Sequence, residues 1–229
     1  MSFDAGSSRP RAGAATRRPA RHLPLRQGLL ALVLALGLSA CSVIDKPVRP
    51  AVYDFGPGPL AAAAPAVRPD TAALTLADVD AGAALDSTAV LYRLGYANGQ
   101  QLLPYAQARW STVPAQLVRQ RLRDRLGQQR TVLGPDDVNA AASQSRLVLR
   151  VELEEFSQLF SAPGQSAGLV RLRATAIQAA ATGDRLLGQR VLVAQRPAAT
   201  ADAPGGVRAL TEATDAAIDE LAQWLTQLR

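Results

Sequence analysis

The sequence predicts an α/β fold in which helices flank a mostly antiparallel β-sheet. Two patterns indicate this fold. Several segments alternate between apolar and polar residues, as half-buried strands do, and two others repeat apolar residues every three to four positions, as amphipathic helices do. Residues 72–229 are numerous enough to bury one core of ordinary size, so we predict a single folded domain over that range.

The first forty residues predict a secretory signal that ends at a lipid-attachment site. A basic region is followed by an apolar run over 28–38, and Leu38-Ser39-Ala40-Cys41 resembles the bacterial lipobox. At about 1.5 Å per residue, the apolar run as a helix is too short for a hydrocarbon core of about 30 Å. We expect cleavage of 1–40 and acylation of the Cys41 sulfur. An uncleaved signal anchor or a buried core helix is the alternative interpretation, and the long basic region leaves the true translation start open.

The basic charge of the chain belongs mainly to this leader. The chain has 25 Lys and Arg against 19 Asp and Glu, a net charge of +6. Removing six leader arginines and Asp4 leaves 19 and 18, a net charge of about +1. Basicity is therefore a targeting signal, and we expect no nucleic-acid partner.

The residue types left after cleavage exclude several kinds of site. Cys41 is the only cysteine, the only histidine is His22 in the leader, and Lys46 is the only lysine. These counts exclude a disulfide, a cysteine metal site, a histidine-based triad and a P-loop in the mature chain. We expect no catalytic residue, no metal and no cofactor.

Residues 41–71 are rich in Pro, Ala and Gly, which predicts an extended, lipidated tether. Within it, 51–55 alternates and favours a first strand. Further strands are predicted over 74–79 and 90–96, the latter running into Asn98-Gly99, a dipeptide typical of tight hairpin turns. Leu102, Leu103 and Tyr105 would form the returning strand, with Pro104 at an edge or a strand end.

A helix is predicted over 113–128, with an apolar stripe and four arginines on its remaining surface. The stripe is Leu117, Val118, Leu122 and Leu126, and the arginines are Arg119, Arg121, Arg123 and Arg125. An ordinary solvated helix face explains these arginines, and a surface for anionic lipid or a partner is the alternative. A short helix is predicted after Gly134, begun by Pro135-Asp136-Asp137.

Residues 145–195 predict a three-stranded antiparallel meander. A loop at Pro163-Gly164 would place Glu152 opposite Arg173 and Glu154 opposite Arg171, with the apolar residues between them facing the core. A turn at 182–184 follows, after which Val191 and Val193 are expected to face inward. Residues 197–206 form a predicted loop. Residues 207–228 form an amphipathic helix whose acidic polar face favours packing on the sheet over lying on an anionic membrane.

One set of residues resembles a known family. The run Val90-Leu91-Tyr92-Arg93, then Tyr105, Arg109-Trp110 and Pro114, resembles the ABC-type transport auxiliary lipoproteins, over essentially all of 50–229. These are periplasmic partners of MCE-type (mammalian cell entry) lipid transport systems and include the PqiC group. The resemblance implies a mixed sheet with flanking helices, similar to the TolB amino-terminal domain and anticodon-binding domains. Tyr92, Tyr105, Arg109 and Trp110 are carried over as a partner interface, with core packing as the alternative for Trp110.

The resemblance implies a non-enzymatic adaptor that is held in the cell envelope by acyl chains on Cys41, faces the periplasm and docks an MCE-family protein. Ser42 after the lipidated Cys, where Asp would mark inner-membrane retention in enteric bacteria, favours the outer membrane. The alternatives are a lipid-carrying module with its own apolar cavity and a periplasmic hydrolase using Glu152, Glu154 or Glu155. Homo-oligomerisation, the docking surface and the transported lipid stay open.

Overall fold

Eight strands form one mixed sheet in the computed structural model, which describes residues 49–58, 73–135, 137 and 146–228. The leader, Cys41, the remaining tether residues and nearly all of the segment predicted as a short helix after Gly134 lie outside the described residues. The strands are β1 Ala51–Tyr53, β2 Leu74–Ala81, β3 Ala89–Leu94, β4 Gly99–Trp110, β5 Val132–Leu133, β6 Arg146–Ala162, β7 Gln165–Ala179 and β8 Arg185–Pro197.

Three α-helices accompany the described strands: α1 Gly95–Asn98, α2 Pro114–Gly127 and α3 Ala203–Gln227. In α2 the predicted apolar stripe is buried, and α2 packs against β2 and α3. In α3 the apolar side packs on β6, β7 and β8, as predicted from its acidic polar face. The buried residues of the sheet and both long helices form one core cluster. The predicted α/β class, a mixed sheet with flanking helices, is confirmed.

The long strand β6 is the centre of this sheet. One of its edges pairs antiparallel with β7, which continues antiparallel to β8. The other edge pairs parallel with β2 along its first half and with β3 near its end. Antiparallel β3 and β4, parallel β1 beside β4, and parallel β5 beside β2 complete the sheet. The segment 51–53 is a strand that pairs with 108–110 of β4. Pro104 lies beyond the end of that pairing, on an edge of β4 that no other described strand covers.

The predicted register of the meander is confirmed over its first half and wrong over the next residues. Glu152 pairs with Arg173 and Leu153 with Leu172, but the register then shifts by one residue, so that Glu155 rather than Glu154 pairs with Arg171. The physical reason is the doublet Glu154-Glu155. Leu153 and Phe156 are both buried, and a β-bulge keeps the two acids between them out of the core.

Val191 and Val193 face outward, contrary to the prediction. They are 43% and 51% exposed, whereas Leu192 is fully buried and pairs with Leu172. Both faces of β8 carry apolar residues, so alternation alone does not fix which face is inside. The pairing with β7 decides it.

The hairpin between β3 and β4 does not use a tight two-residue turn at Asn98-Gly99. The one-turn helix α1 makes the connection, and Gly99 has a φ of −67°, outside the left-handed region that such a turn requires. A Cβ at Gly95 would lie 3.0 Å from the Phe160 carbonyl oxygen. The connection therefore packs closely against the end of β6, and the absence of a side chain at Gly95 permits this close approach.

Helix α3 begins at Ala203, four residues before the predicted start. Asp202 provides the N-cap, because its carboxylate accepts a hydrogen bond from the Gly205 amide at 2.8 Å. Pro204 in the first turn is compatible with a helix start, since its missing N–H would have no partner there. The Pro- and Gly-rich composition that predicted a loop is in fact that of a capped first turn.

The first part of α3 lies unusually close to β7 at Gly168. A Cβ built on Gly168 would lie 2.4 Å from the Ala209 carbonyl carbon and 2.4 Å from the Leu210 backbone nitrogen. Backbone atoms cannot move aside as a flexible side chain can. Glycine at 168 therefore sets how closely the helix approaches the sheet.

We predict that Gly168→Ala destabilises the fold by about 1–3 kcal/mol, because overpacking would push α3 away from β7. Denaturant unfolding measures the change in the free energy of unfolding. The matched control is Gly82→Ala. Gly82 has a φ of −64°, and no atom lies within 4 Å of its added Cβ, so stability should be unchanged within about 0.5 kcal/mol. Equal stability of the two variants would contradict the close packing of α3 on β7.

Candidate functional site

Trp110 lies in the core and not on a partner surface. It is 1% exposed, and its ring packs against Phe55 and Phe156 at centroid distances of 5.7 and 5.5 Å. The Phe55 contact is edge-to-face, a favourable geometry for aromatic pairs. The prediction that Trp110 belongs to a partner interface is therefore wrong. The alternative interpretation, core packing, is the one that the structure shows.

Tyr92 and Tyr105 lie together near the end of the sheet where α3 begins. Their ring centroids are 4.7 Å apart, and the Phe160 ring lies 5.9 Å from that of Tyr92. Tyr92 and Tyr105 are partly exposed, and Phe160 is buried at 8% exposure. We call Tyr92, Tyr105 and Phe160 the tyrosine cluster. Tyr96, 48% exposed, lies in the adjoining hairpin connection α1.

A buried glutamine fixes the orientation of Tyr105. The Tyr105 hydroxyl donates a hydrogen bond to Gln158 Oε1 at 2.8 Å, and Gln158 Nε2 donates to Ser166 Oγ at 2.7 Å. Gln158 is fully buried, so losing either partner would leave a polar group unsatisfied in the core. These two hydrogen bonds, which meet at Gln158 on the central strand β6, position the tyrosine cluster.

Burial raises the pKa of Tyr105 to about 12, with smaller contributions from Tyr92 and Asp202. The hydroxyl therefore remains a neutral donor at physiological pH and is unsuited to act as a base. The cluster offers apolar ring surface with one fixed polar end, which is typical of an aromatic anchor in an interface.

Arg109 is exposed and lies on the opposite face of the sheet from Trp110, because successive residues of a strand point to opposite faces. It pairs in register with Val52, which is 61% exposed. The structure thus brings together two of the four sequence-predicted residues, Tyr92 and Tyr105. It places Arg109 elsewhere on the surface and Trp110 in the core.

The four arginines of α2 are held by acidic partners within the chain. Arg119 lies 3.2 Å from Asp78, Arg121 lies 3.1 Å from Asp215, and Arg125 lies 2.6 Å from Asp219. Arg123 lies 3.6 Å from Asp137. These arginines therefore form neither a purely solvated helix face nor a free cationic surface, because each is in an ion pair. Two of these pairs connect α2 to α3.

The pair between Arg121 and Asp215 is only partly shielded from water, since the Arg121 side chain is 10% exposed and that of Asp215 is 44% exposed. The pKa of Asp215 is raised because its burial outweighs the favourable charge of Arg121. Arg121 also donates a hydrogen bond to the Phe55 carbonyl at 2.5 Å, and its guanidinium lies 5.8 Å from the Phe55 ring centroid. This arginine therefore serves the packing of the core more than a surface function.

The acids of β6 are likewise engaged by arginines. Arg173 donates a hydrogen bond to Glu154 at 2.6 Å and lies 3.8 Å from Glu152, while Glu155 pairs with Arg93 at 3.0 Å. Glu154 and Glu155 thus serve cross-strand ion pairs and not a pair of free carboxylates. Among the described residues, no group of three or more His, Cys, Asp or Glu could hold a metal ion.

Sequence reasoning did not identify Gln158 and Phe160. A signal was present, since the polar Gln158 lies between the apolar residues Phe156, Leu159 and Phe160, and a polar side chain buried in a central strand needs a hydrogen-bond partner. Across the described part of the chain, no helix is sufficiently long and apolar to span a bilayer.

Solved structures share this fold. Protein XCC0632 from Xanthomonas campestris aligns with a TM-score of 0.58 at 17% identity, over 76% of this chain and 94% of that one. An uncharacterized protein aligns with a TM-score of 0.55 at 13% identity, over 77% and 99%. At these identities the likeness shows the fold alone. No curated protein matches the chain.

A family model described as the ABC-type transport auxiliary lipoprotein component matches residues 53–222. The match begins in β1 and ends within α3, so it spans the sheet and both long helices. Because it covers well over half of the 229 residues, the chain belongs to the family of ABC-type transport auxiliary lipoprotein components.

Proposed function

We propose that this chain is a non-enzymatic adaptor of an MCE-type lipid transport system. In this proposal it is anchored through acyl chains on Cys41, at the outer membrane, and docks the MCE protein in the periplasm. The observation that carries the proposal is the position of the lipobox, 38–41, immediately before a domain whose family serves ABC-type transport. The coarser role, an auxiliary component of such transport, follows from the family. The membrane, the lipid and the MCE partner belong to the proposal.

The mechanism is positional. Since β1 begins at Ala51, the segment between Cys41 and the sheet is only nine residues, with a reach of roughly 30 Å at about 3.3 Å per residue. Acyl chains at one end of so short a segment would keep the domain close to the bilayer and raise its effective concentration near a partner at that membrane. One acyl chain anchors weakly, so the two or three of a mature lipoprotein would be needed.

The exposed part of the tyrosine cluster, together with Tyr96, is our candidate docking surface for the MCE protein. Interface hot spots are enriched in tyrosine, and rigid rings lose little conformational entropy on binding. The Gln158 hydrogen bond holds Tyr105 in place before any partner arrives. Arg109, exposed on β4 beside Val52 and apart from the tyrosine cluster, would be a separate, second contact in this proposal.

The alternative, a lipid-carrying module, would need a largely apolar pocket. A cavity of about 640 Å³ lies between β2 and α2, but Asp78, Asp80, Asp86, Arg119 and Arg123 contribute to its lining. These charges disfavour acyl chains, so this cavity gives the carrier function no support.

We predict that Cys41→Ala releases the chain from membranes, because the sulfur that would carry the acyl chains is lost. Membrane fractionation on a density gradient checks the location, and intact mass spectrometry checks the modification. Ser42→Ala is the matched control and should remain lipidated and bound to the outer-membrane fraction. An unmodified sulfur in the wild-type chain, or a mature chain that still begins at Met1, would refute the anchor.

We predict that a photo-crosslinking residue in place of Tyr96 captures the MCE protein in cells that make the whole transport system. Leu186 is the control site. It is 63% exposed and pairs with Ile177, which is level with Val148 near the start of β6. Val148 is twelve residues along β6 from Phe160 of the tyrosine cluster, roughly 40 Å at about 3.3 Å per residue. Equal capture from both sites, or capture from Leu186 alone, would contradict this docking surface, and no MCE adduct from a lipidated chain would argue against the partner.

A further inference from the structure

The exposed aliphatic side chains of the described residues are concentrated on one edge of the sheet. Leu186, Val191 and Val193 on β8 are 63%, 43% and 51% exposed. Strand β8 has 13 residues and, within the described part of the chain, pairs only with β7, so no described strand lies along its other edge. Long apolar edge strands are templates for pairing with another strand, and proteins usually protect them.

Among the described residues, the features that would protect β8 from pairing with another strand lie at its ends. The register with β7 is irregular between Ala176 and Ile177, opposite the start of β8, and Pro197 closes the other end. Between them, 188–196 pairs regularly with β7. The charged residue in the middle of this stretch, Arg190, is turned to the helix face, where it pairs with Glu220 on α3 at 2.7 Å. The open face of the stretch is left to Gln189, Val191, Val193 and Gln195.

We infer that β8 pairs antiparallel with β8 of a second copy of this chain, in a two-fold dimer whose sheet is continuous across the interface. A two-fold axis at Leu192 would place Val191 opposite Val193 of the second copy, and Val193 opposite Val191. Gln189 would face Gln195 of the second copy. Two valine pairs and two glutamine pairs then meet on the open face, and side chains directly opposite across an antiparallel pair are in contact.

Charge supports the same register. With the axis at Leu192, Arg190 faces Ala194 and Arg196 faces Gly188 of the second copy, so arginine does not meet arginine. Moving the axis by two residues to Arg190 would bring the two Arg190 side chains together. Moving it by one residue to Val193 would place Arg190 opposite Arg196. Moving it to Val191 leaves one valine pair instead of two and sets Arg190 against Leu192. The pattern of β8 is therefore complementary to itself in one register.

The β1 edge of the sheet has less exposed apolar surface for pairing with a second copy. There, β1 has three residues, and Val52 is its one large apolar side chain that is strongly exposed, beside the exposed Arg109. A second copy is consequently favoured at β8 over the β1 edge, and the continuous ladder of main-chain hydrogen bonds would add to the side-chain contacts.

The test measures the mass of the full lipidated chain in detergent by analytical ultracentrifugation. We expect a dimer for the wild type. In Val191→Lys with Val193→Lys, each lysine would face a lysine of the second copy, and the dissociation constant should rise by roughly 100-fold. In Val191→Glu with Val193→Lys, each glutamate would face a lysine, and the dissociation constant should return to within about tenfold of the wild-type value. Val52→Lys, on the opposite edge, is the matched control and should leave the dimer unchanged.

Circular dichroism and the unfolding midpoint verify that each variant folds, as expected for substitutions of half-exposed side chains. Hydrogen exchange of the wild-type chain gives an independent measurement, since the alternate amides of 188–196 that do not bond to β7 should lose protection on dilution. A monomeric wild type, a double-lysine variant that still dimerises, a folded glutamate–lysine variant that does not, or protection independent of concentration would overturn the inference. Each of these results leaves the anchor on Cys41 and the docking surface at Tyr96 to be judged by their own experiments.

Discussion

The pairing of β6 along both of its edges is the constraint on which the rest of the structure depends. Strand β7 pairs with one edge, and β2 and β3 pair one after the other with the opposite edge, so β6 sets the positions of all three. Because Gln158 is fully buried, its polar side chain needs partners inside the protein, and it finds them in Tyr105 and Ser166. The same strand that organises the core therefore also orients the tyrosine cluster.

The geometry of strands also separates residues that are adjacent in the chain. Trp110 points into the core while Arg109 points to the other face, and Tyr105, five residues earlier, joins Tyr92 at the end of the sheet. Residues that lie close together in the sequence therefore have different roles: Trp110 stabilises the core, whereas Tyr105 and Arg109 are on the surface. The cluster that remains contains Phe160 from β6, which is distant in the chain but adjacent in the sheet.

Ion pairs within the chain account for charges that would otherwise indicate a cationic surface. The arginines of α2 pair with Asp78, Asp137, Asp215 and Asp219, and Arg173 and Arg93 take up the acids of β6. Exposed pairs of this kind contribute little to stability, but they lower the free charge available to an anionic partner. Separate from these ion pairs, the large apolar side chains exposed on the described surface include Tyr96 beside the tyrosine cluster and the valines of β8.

Local periodicity in the sequence was sufficient to predict the long helices, the meander and the register of Glu152 with Arg173, because each depends on residues close in the chain or on a short turn. It did not predict the β-bulge at Glu154, although the doublet Glu154-Glu155 is present in the sequence. It also did not predict that the Val191 side chain faces outward. The partners of the α2 arginines and the burial of Trp110 were also decided by tertiary structure alone. Periodicity distinguishes the two faces of an element, but which face is covered, and by what, depends on contacts between segments far apart in the chain.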